Sequence, residues 1–423
     1  SFDMGGTTAK GALIRGGRAL RRYEFEVARV HEFKQGSGLP LRIPVIDMIE
    51  IGAGGGSIAS LDERNLLKVG PASAGAEPGP ACYAQGGELP TLTDANVTLG
   101  YLQPQAFLGG RMTLDADAAR QAIATGIAQR SDLEITRAAW GIHEVINEDV
   151  ARAFRVHASE LGFDYRRCAM VAFGGSGPAH ALRIARKLRI PKVIFPVGAG
   201  VMSAIGLLTV PISFATLRSA RVRLTELDTQ GLHAGFASIE DQAARMLEQA
   251  GVEPESIVIE RRLDMRFYGQ GHEVEVSLPA DVRVEQLAEL FVRTYAQTFA
   301  ATPLDAEIEI VNWKIEASGP EPGFVSHYQA SAPRRDTSPA ADPGPAVPTM
   351  TTRIFDPLAQ TFVDCPVHER EALIAGAWVE GPALIQEREA TTVLGVGERL
   401  QVDTHGNLVA ILSANSDSER ARS

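Results

Sequence analysis

The chain is poor in cysteine, in positive charge and in long apolar runs, and each shortage closes off a class of protein. Its 423 residues include three cysteines, Cys82, Cys168 and Cys365, far apart and in no CxxC pair. That argues against a disulfide scaffold or a thiolate metal centre and leads us to expect free thiols in a reducing cytoplasm. Lysine and arginine number 41 against 52 aspartates and glutamates, for a net charge of −11. This balance disfavours nucleic acid and acidic lipid as partners. No apolar run approaches the roughly 20 residues that span a bilayer, and no basic-then-apolar leader is read, so no membrane partner is expected. Two nucleotide motifs are also missing. Neither G-x-x-x-x-G-K-[ST] nor G-x-G-x-x-G with its acidic follower occurs, so neither a P-loop nor a Rossmann site is indicated.

What is present is the composition of a soluble globular protein, 45% hydrophobic and 22% charged, too long for one ordinary core. Residues 1 to about 35 read as a glycine turn followed by strands, with a hairpin at Gly16-Gly17. PVIDMIEIGAGGGSIA runs apolar residues into a second glycine cluster, and the Gly/Pro/Ala-rich stretch after it is too punctuated for regular structure until Leu92. One helix is expected after Thr113, with Asp115 and Asp117 in its first turn. A longer one carries a buried stripe of Ile142, Val145, Ile146, Val150, Ala153 and Phe154 and stops at Gly162. CAMVAF (168–173) is a continuous apolar run, as of a central strand covered on both faces. GGSG breaks it, and Pro178 opens the next helix, where a missing N–H costs nothing. KVIFPV and VMSAIGLL continue the strand–helix rhythm of an α/β layer.

Past Leu217 the texture changes to amphipathic helices and alternating strands. The expected division is an α/β lobe over 1–217, an α+β part over 218–330, a Pro/Ala-rich connector over 331–349, a strand-rich part over 350–412 and a disordered tail over 413–423.

Three glycine loops carry the chemical case. DMGGTT (3–8) follows a short strand, GAGGGS (52–57) is the second, and AFGGSGPAH (172–180) lies between a strand and a helix N-terminus. Backbone amides in such turns, and the dipole of the following helix, favour phosphate, and only glycine lets the backbone approach closely. Any one loop is more often a plain tight turn. Three in one α/β domain make a phosphorylated nucleotide the better reading.

These segments, with PGPACY followed by PTLTDANVTLGYL, resemble the hydantoinase A / 5-oxoprolinase family; so do YGQGHEVEV, EIEIVNWKIEA and GPALIQEREATTV farther on, and the similarity covers nearly the whole chain. The resemblance implies an actin/Hsp70/sugar-kinase-like (ribonuclease H-like) α/β lobe followed by a mixed α+β, strand-rich C-terminal domain. It implies ATP with Mg²⁺ as the cofactors, a small cyclic amide as substrate and a hydantoinase B-type subunit as partner, in a hetero-oligomer. It also implies an N-terminal lobe with an earlier DxGGT loop, absent from these residues and either lost by truncation or separately encoded. The implied reaction phosphorylates the carbonyl oxygen of a lactam or imide so that water can open the ring. Related ketone carboxylases, and a non-catalytic nucleotide-dependent scaffold, are the alternatives.

Carried over by position, Asp3, Gly5, Gly6, Thr7 and Thr8 fall on the phosphate loop, with Asp3 also the metal candidate. Gly54, Gly55 and Gly56 fall on the middle loop, and Gly174, Gly175 and Gly177 on the adenosine side. The chain departs from the family at Ala9-Lys10, where many members have Thr-Asp, so that Lys10 is read as a direct phosphate contact. It departs again at Glu50, where several have His.

Other residues carry readings from their chemistry alone. Asp47 and Glu50 flank the second loop on opposite faces, as base or metal orienter against a solvated pair. Asp94 is the preferred buried catalytic carboxylate, with an Asx turn or helix cap fitting nearly as well. Cys82 reads as a packed thiol, His180 as structural, and His143 and His157 do not share the i,i+4 spacing of a metal pair.

Overall fold

The computed structural model describes residues 1–22, 25–28, 30, 36–41, 43, 45–299, 306–323 and 344–412. Residues up to Ile205 and the described residues from 344 onward form one compact unit; the described residues from Gly206 to 323 form a second.

In chain order, β1 (Phe2–Met4) and β2 (Ala9–Ala12) flank the DMGGTT loop. β3 (Ile14–Arg15) and β4 (Arg18–Ala19) make the expected hairpin, its Gly16 and Gly17 at φ +58° and +77°. That left-handed geometry is open to glycine at little cost. β5 (Arg21–Arg22) pairs with β8 (Val45–Ile46), and β6 (Phe25–Val27) with β7 (Leu39–Leu41). β9 (Met48–Ile51) enters the second glycine loop, and β10 (Ser57–Leu61) and β11 (Leu67–Ser73) leave it as an antiparallel pair. α1 (Leu92–Thr98) follows, then α2 (Ala116–Ile123), which passes through a π turn into α3 (Gln129–Ser131).

α4 (Ile135–Glu160) buries Ile142, Ile146, Val150 and Ala153 on one face, and Gly162, at φ +58°, ends it. β12 (Ala169–Phe173), α5 (Gly177–Leu188), β13 (Lys192–Phe195) and α6 (Met202–Thr209) complete the first run. Burial along β12 alternates, with Met170 and Ala172 buried and Ala169 exposed, so the strand is not covered equally on both faces as its composition suggested.

The second unit contains β14 (Ser213–Arg223), α7 (Thr229–Gln249), β15 (Val258–Phe267), β16 (Val274–Leu278), α8 (Val284–Thr298) and β17 (Ile308–Ser318). Its antiparallel sheet has the order β14-β17-β15-β16. Its core gathers Phe236, Leu263, Met265, Phe291 and Trp313.

The chain then returns to the first unit with β18 (Met350–Asp356), β19 (Thr361–Glu369), β20 (Trp378–Glu380), β21 (Ala383–Gln386), β22 (Thr391–Leu394), β23 (Arg399–Val402) and β24 (Leu408–Ile411). Here the division read from sequence is corrected. β20, β23 and β24 extend the first unit's sheet, whose order is β20-β23-β24-β13-β12-β1-β2-β9. β24 runs antiparallel to β13, Ile194 opposite Val409. Ile354, Val367, Leu384 and Leu394 join the same core as Phe2, Ile142 and Val193. Residues 350–412 therefore do not stand apart, and residues 206–217 lie in the second unit, because β14 pairs with β17. Strand pairing over such sequence distances leaves no local pattern to read. The expected connector and tail lie, for residues 331–343 and 413–423, outside the described residues.

Candidate functional site

β1 and β12 are parallel neighbours in the sheet, and each ends in a glycine turn, so the first and third loops leave the same end of adjacent strands. The second loop is bonded to the first. The Gly55 amide donates to the Gly5 carbonyl at 3.0 Å and the Gly56 amide to the Gly6 carbonyl at 2.6 Å. The third loop closes from the other side, the Ser176 amide donating to the Met4 carbonyl at 2.9 Å. Glycine is required at two of these contacts. A Cβ on Gly54 would stand 2.5 Å from Gly6 C and Thr7 N, and one on Gly174 would meet Asp3 Oδ1 and the Met4 carbonyl oxygen at 2.4 Å.

Counting amides corrects the reading of the middle loop. Gly54 donates to Ser57 Oγ at 2.9 Å, while Gly55 and Gly56 are committed to the first loop. None of the three can also face an anion, so the middle loop is a brace. α1 braces it in turn, the Thr93 amide and Oγ1 both reaching the Gly55 carbonyl at 2.8 Å. In the first loop the Gly5 amide donates to the Thr8 carbonyl at 3.1 Å, and among the described residues no partner is found for the Gly6 or Thr7 amide. Gly6 and Thr7 form its exposed tip, and a Cβ on Gly5 or Gly6 would meet nothing within 4 Å. On the third loop Gly175 is exposed and Gly177 is the first residue of α5, an orphan N–H position of a 12-residue helix.

Asp3 sits at the end of β1 under this junction. Its Oδ2 accepts a hydrogen bond from Ser203 Oγ at 2.8 Å. Cross-strand register places Asp3 opposite Lys10 and Lys10 opposite Glu50, so the three share one face of the sheet. Lys10 pairs with Glu50 at 3.6 Å, both about half exposed. Such a pair is weak, but it turns Lys10 toward a carboxylate and ties up the residue read as a base.

Two other expected carboxylates are structural. Asp94 is fully buried and accepts from the Cys82 amide at 2.8 Å, the Ala81 amide at 3.3 Å, the Thr91 amide at 2.9 Å and Thr91 Oγ1 at 2.7 Å. It is the third residue of a capping box on α1, and four donors leave it no capacity for catalysis. Asp47 is 5% exposed and pairs with Arg22 at 2.7 Å, with His157 Nε2 3.9 Å away. Burial and the Asp94 carboxylate push the Cys82 thiol up, which fits a packed thiol and not a nucleophile.

Three features of the junction escaped the sequence reading. Ser203, in the first turn of α6, fixes the Asp3 carboxylate. The turn before it, Gly198–Val201, accepts the Gly174 amide at the Ala199 carbonyl, 2.9 Å away. The Gln386–Thr391 turn packs on both, with a Cβ at Gly200 falling 2.6 Å from Glu389 Cβ and one at Gly175 falling 3.4 Å from the Glu389 carbonyl. Gly198 and Gly200 in VGAGVMSA were the available signal; nothing local marked Glu389.

Among the described residues no group of three His, Cys, Asp or Glu side chains is arranged to hold a metal ion, and no helix is long and apolar enough to cross a membrane. The Hydantoinase/oxoprolinase family profile matches residues 1–215, and that of the Hydantoinase/oxoprolinase C-terminal domain matches 223–410. The caprolactamase subunit alpha of Pseudomonas jessenii is 30% identical over 416 residues, which are 95% of this chain and 56% of that protein. The acetophenone carboxylase gamma subunit of Aromatoleum aromaticum is 31% identical over 435 residues, 97% of this chain and 56% of that one. The crystal structure of the ATP-dependent caprolactamase from Pseudomonas jessenii superimposes with a TM-score of 0.75 at 29% identity, covering 97% of this chain and 58% of that one. This chain thus spans little more than half the length of these relatives. Its fold is theirs, an actin-like ATPase lobe with a C-terminal domain. The chain belongs to the hydantoinase/oxoprolinase family.

Proposed function

We propose that this chain is an ATP-binding part of a cyclic-amide hydrolase that activates its substrate by phosphorylation. The observation that carries the reading is the junction of the first and third glycine loops. The exposed tip at Gly6-Thr7, the exposed Gly175 and the head of α5 surround Asp3, braced from behind by the middle loop. Uncommitted amides at a helix N-terminus suit a polyphosphate. Thr7 and Thr8 add hydroxyls.

A Mg²⁺ ion accompanying ATP takes most of its ligands from phosphate and water, so one carboxylate suffices on the protein side, and Asp3 fits that role. The metal would neutralise phosphate charge. Ser203 fixes the Asp3 rotamer, and Lys10 brings a cation one strand away, shared with Glu50. In the reaction the amide oxygen attacks the γ-phosphorus and the bond to the β-phosphate oxygen breaks, releasing ADP. Water then adds to the activated carbon, the ring C–N bond breaks with the nitrogen taking up a proton to leave an acyl phosphate, and a second water releases the carboxylate and phosphate. Positioning and charge neutralisation supply most of the first step. The ring opening is assigned to a B-type partner subunit, with an N-terminal lobe closing the cleft, in the cytoplasm where Cys82, Cys168 and Cys365 remain free.

The similarity to an acetophenone carboxylase subunit supports a second reading, ATP-dependent carboxylation of a ketone. ATP consumption by the complete complex separates the two. Lactam-dependent turnover that yields hydroxylamine-trappable acyl groups supports the first, and turnover that needs both ketone and bicarbonate supports the second. In the productive assay Asp3→Asn is expected to lower turnover by about 10²–10³-fold, the scale of a lost electrostatic group, without shifting the unfolding midpoint. Unchanged turnover removes Asp3 from the site.

A further inference from the structure

Behind the glycine loops lies a buried polar chain that the proposed chemistry does not use. His143 and Asn147 on α4, Asn96 on α1 and His180 on α5 are each 3% exposed or less. His143 Nδ1 lies 2.8 Å from Asn96 Oδ1, Asn96 Nδ2 lies 3.2 Å from His180 Nε2, and His180 Nδ1 lies 2.8 Å from Asn147 Oδ1. The two imidazoles stack 4.5 Å apart. With the amides oriented in this way, each Nδ1 must carry a proton, since an amide oxygen only accepts, and His180 Nε2 must be bare, since an amide nitrogen only donates. The His180 ring is therefore neutral, in one defined tautomer.

The chain joins the two helices that hold the loops. Asn96 is one turn from Thr93, which holds the middle loop through Gly55, and the middle loop holds Gly5 and Gly6. His180 lies in the first turn of α5, just beyond Ser176, which holds Met4. An apolar cluster of the same shape would pack here with less demand on geometry. A chain of directional polar bonds, in which Asn147 Nδ2 alone of these amide nitrogens has no partner among the described residues, instead allows one arrangement of three helices.

We propose that His180 is a positioning residue, which through Asn96 sets the spacing between the middle and third glycine loops and so the width of the junction that faces the nucleotide. The amides that report this spacing are Gly55, Gly56 and Ser176, each bonded across two loops.

The test compares full-length wild type with His180→Phe, which keeps the volume but not the hydrogen bonds, and His180→Gln, which restores a donor and an acceptor. Hydrogen exchange is expected to quicken about tenfold at Gly55, Gly56 and Ser176 in His180→Phe, the scale of one lost buried hydrogen bond, and to recover in His180→Gln. The β12–β13 ladder serves as the internal control. Acceleration confined to α5, or none, overturns the proposal. ¹⁵N spectra of wild-type histidines add a measurement independent of any variant; a His180 protonated at Nε2 at pH 7 also overturns it. ADP binding should weaken about tenfold in His180→Phe and return in His180→Gln. That arm rests on the nucleotide reading of the loops, and the exchange arm does not. A wild-type chain that binds no nucleotide counts against the function proposed above, while exchange still decides the role of His180.

Discussion

Alanine at Gly54 is expected to lower nucleotide turnover by about 10²-fold and to destabilise the first unit by about 1–3 kcal/mol, whereas alanine at Gly6 should weaken nucleotide binding with no measurable loss of stability. The two glycines lie on loops in direct contact, and sequence alone treats them alike. Structure separates them. The added methyl at Gly54 would overlap Gly6 C and Thr7 N at 2.5 Å and the Gly6 carbonyl oxygen at 2.7 Å. All three are backbone atoms of the neighbouring loop, so no side-chain rotation relieves the contact and the phosphate loop must shift. At Gly6 the methyl would enter open space, on the side where a phosphate would approach. Thermal unfolding and nucleotide titration of the two variants decide the matter. Wild-type affinity in Gly6→Ala would mean that the loop tip does not face the ligand, and the proposed function would lose its main support.

The first unit should also weaken in mild acid. Burial lowers the pKa of His180 to about 3, and burial, then the neighbouring His180 and the Arg183 and Lys187 cations, hold His143 well below the ordinary imidazole value. In the unfolded chain both titrate near 6.5, so between pH 6.5 and about 3 the unfolded state binds protons that the folded state refuses. Stability therefore falls as pH falls through that window. Each unit below 6.5 costs about 1.4 kcal/mol per group, so His180 alone removes about 2 kcal/mol at pH 5. Urea unfolding at pH 7 and pH 5 should show the loss in wild type and a smaller one in His180→Gln. Equal stability at the two pH values would mean that the buried rings accept charge.

What could be read from the residues was local. Gly16-Gly17 announced a hairpin, the stripe from Ile142 to Ala153 announced α4, and the apolar run before Gly174 announced β12. Each depends on neighbours within a few positions. The misreadings share one cause, which is that sequence does not show where a polar group finds its partner. Gly55 and Gly56 looked like anion-binding amides until the Gly5 and Gly6 carbonyls claimed them. Asp94 looked available for catalysis until the Ala81, Cys82 and Thr91 donors surrounded it. His143 invites comparison with His157 because both lie on one helix, whereas its stacking neighbour is His180 on another. Ser203 lay 200 positions from the carboxylate it holds.

The antiparallel pairing of β13 with β24 has a consequence for how the molecule is made. While the chain emerges from the ribosome, β13 is synthesised long before Leu408–Ile411, and until that strand arrives one flank of the eight-stranded sheet is unsealed. The intervening unit draws its sheet entirely from its own residues and can fold while the rest waits. Among these residues the lobe that carries the glycine loops is thus begun before the second unit and completed after it, and the nascent protein passes through a stage in which its earlier strands depend on later ones.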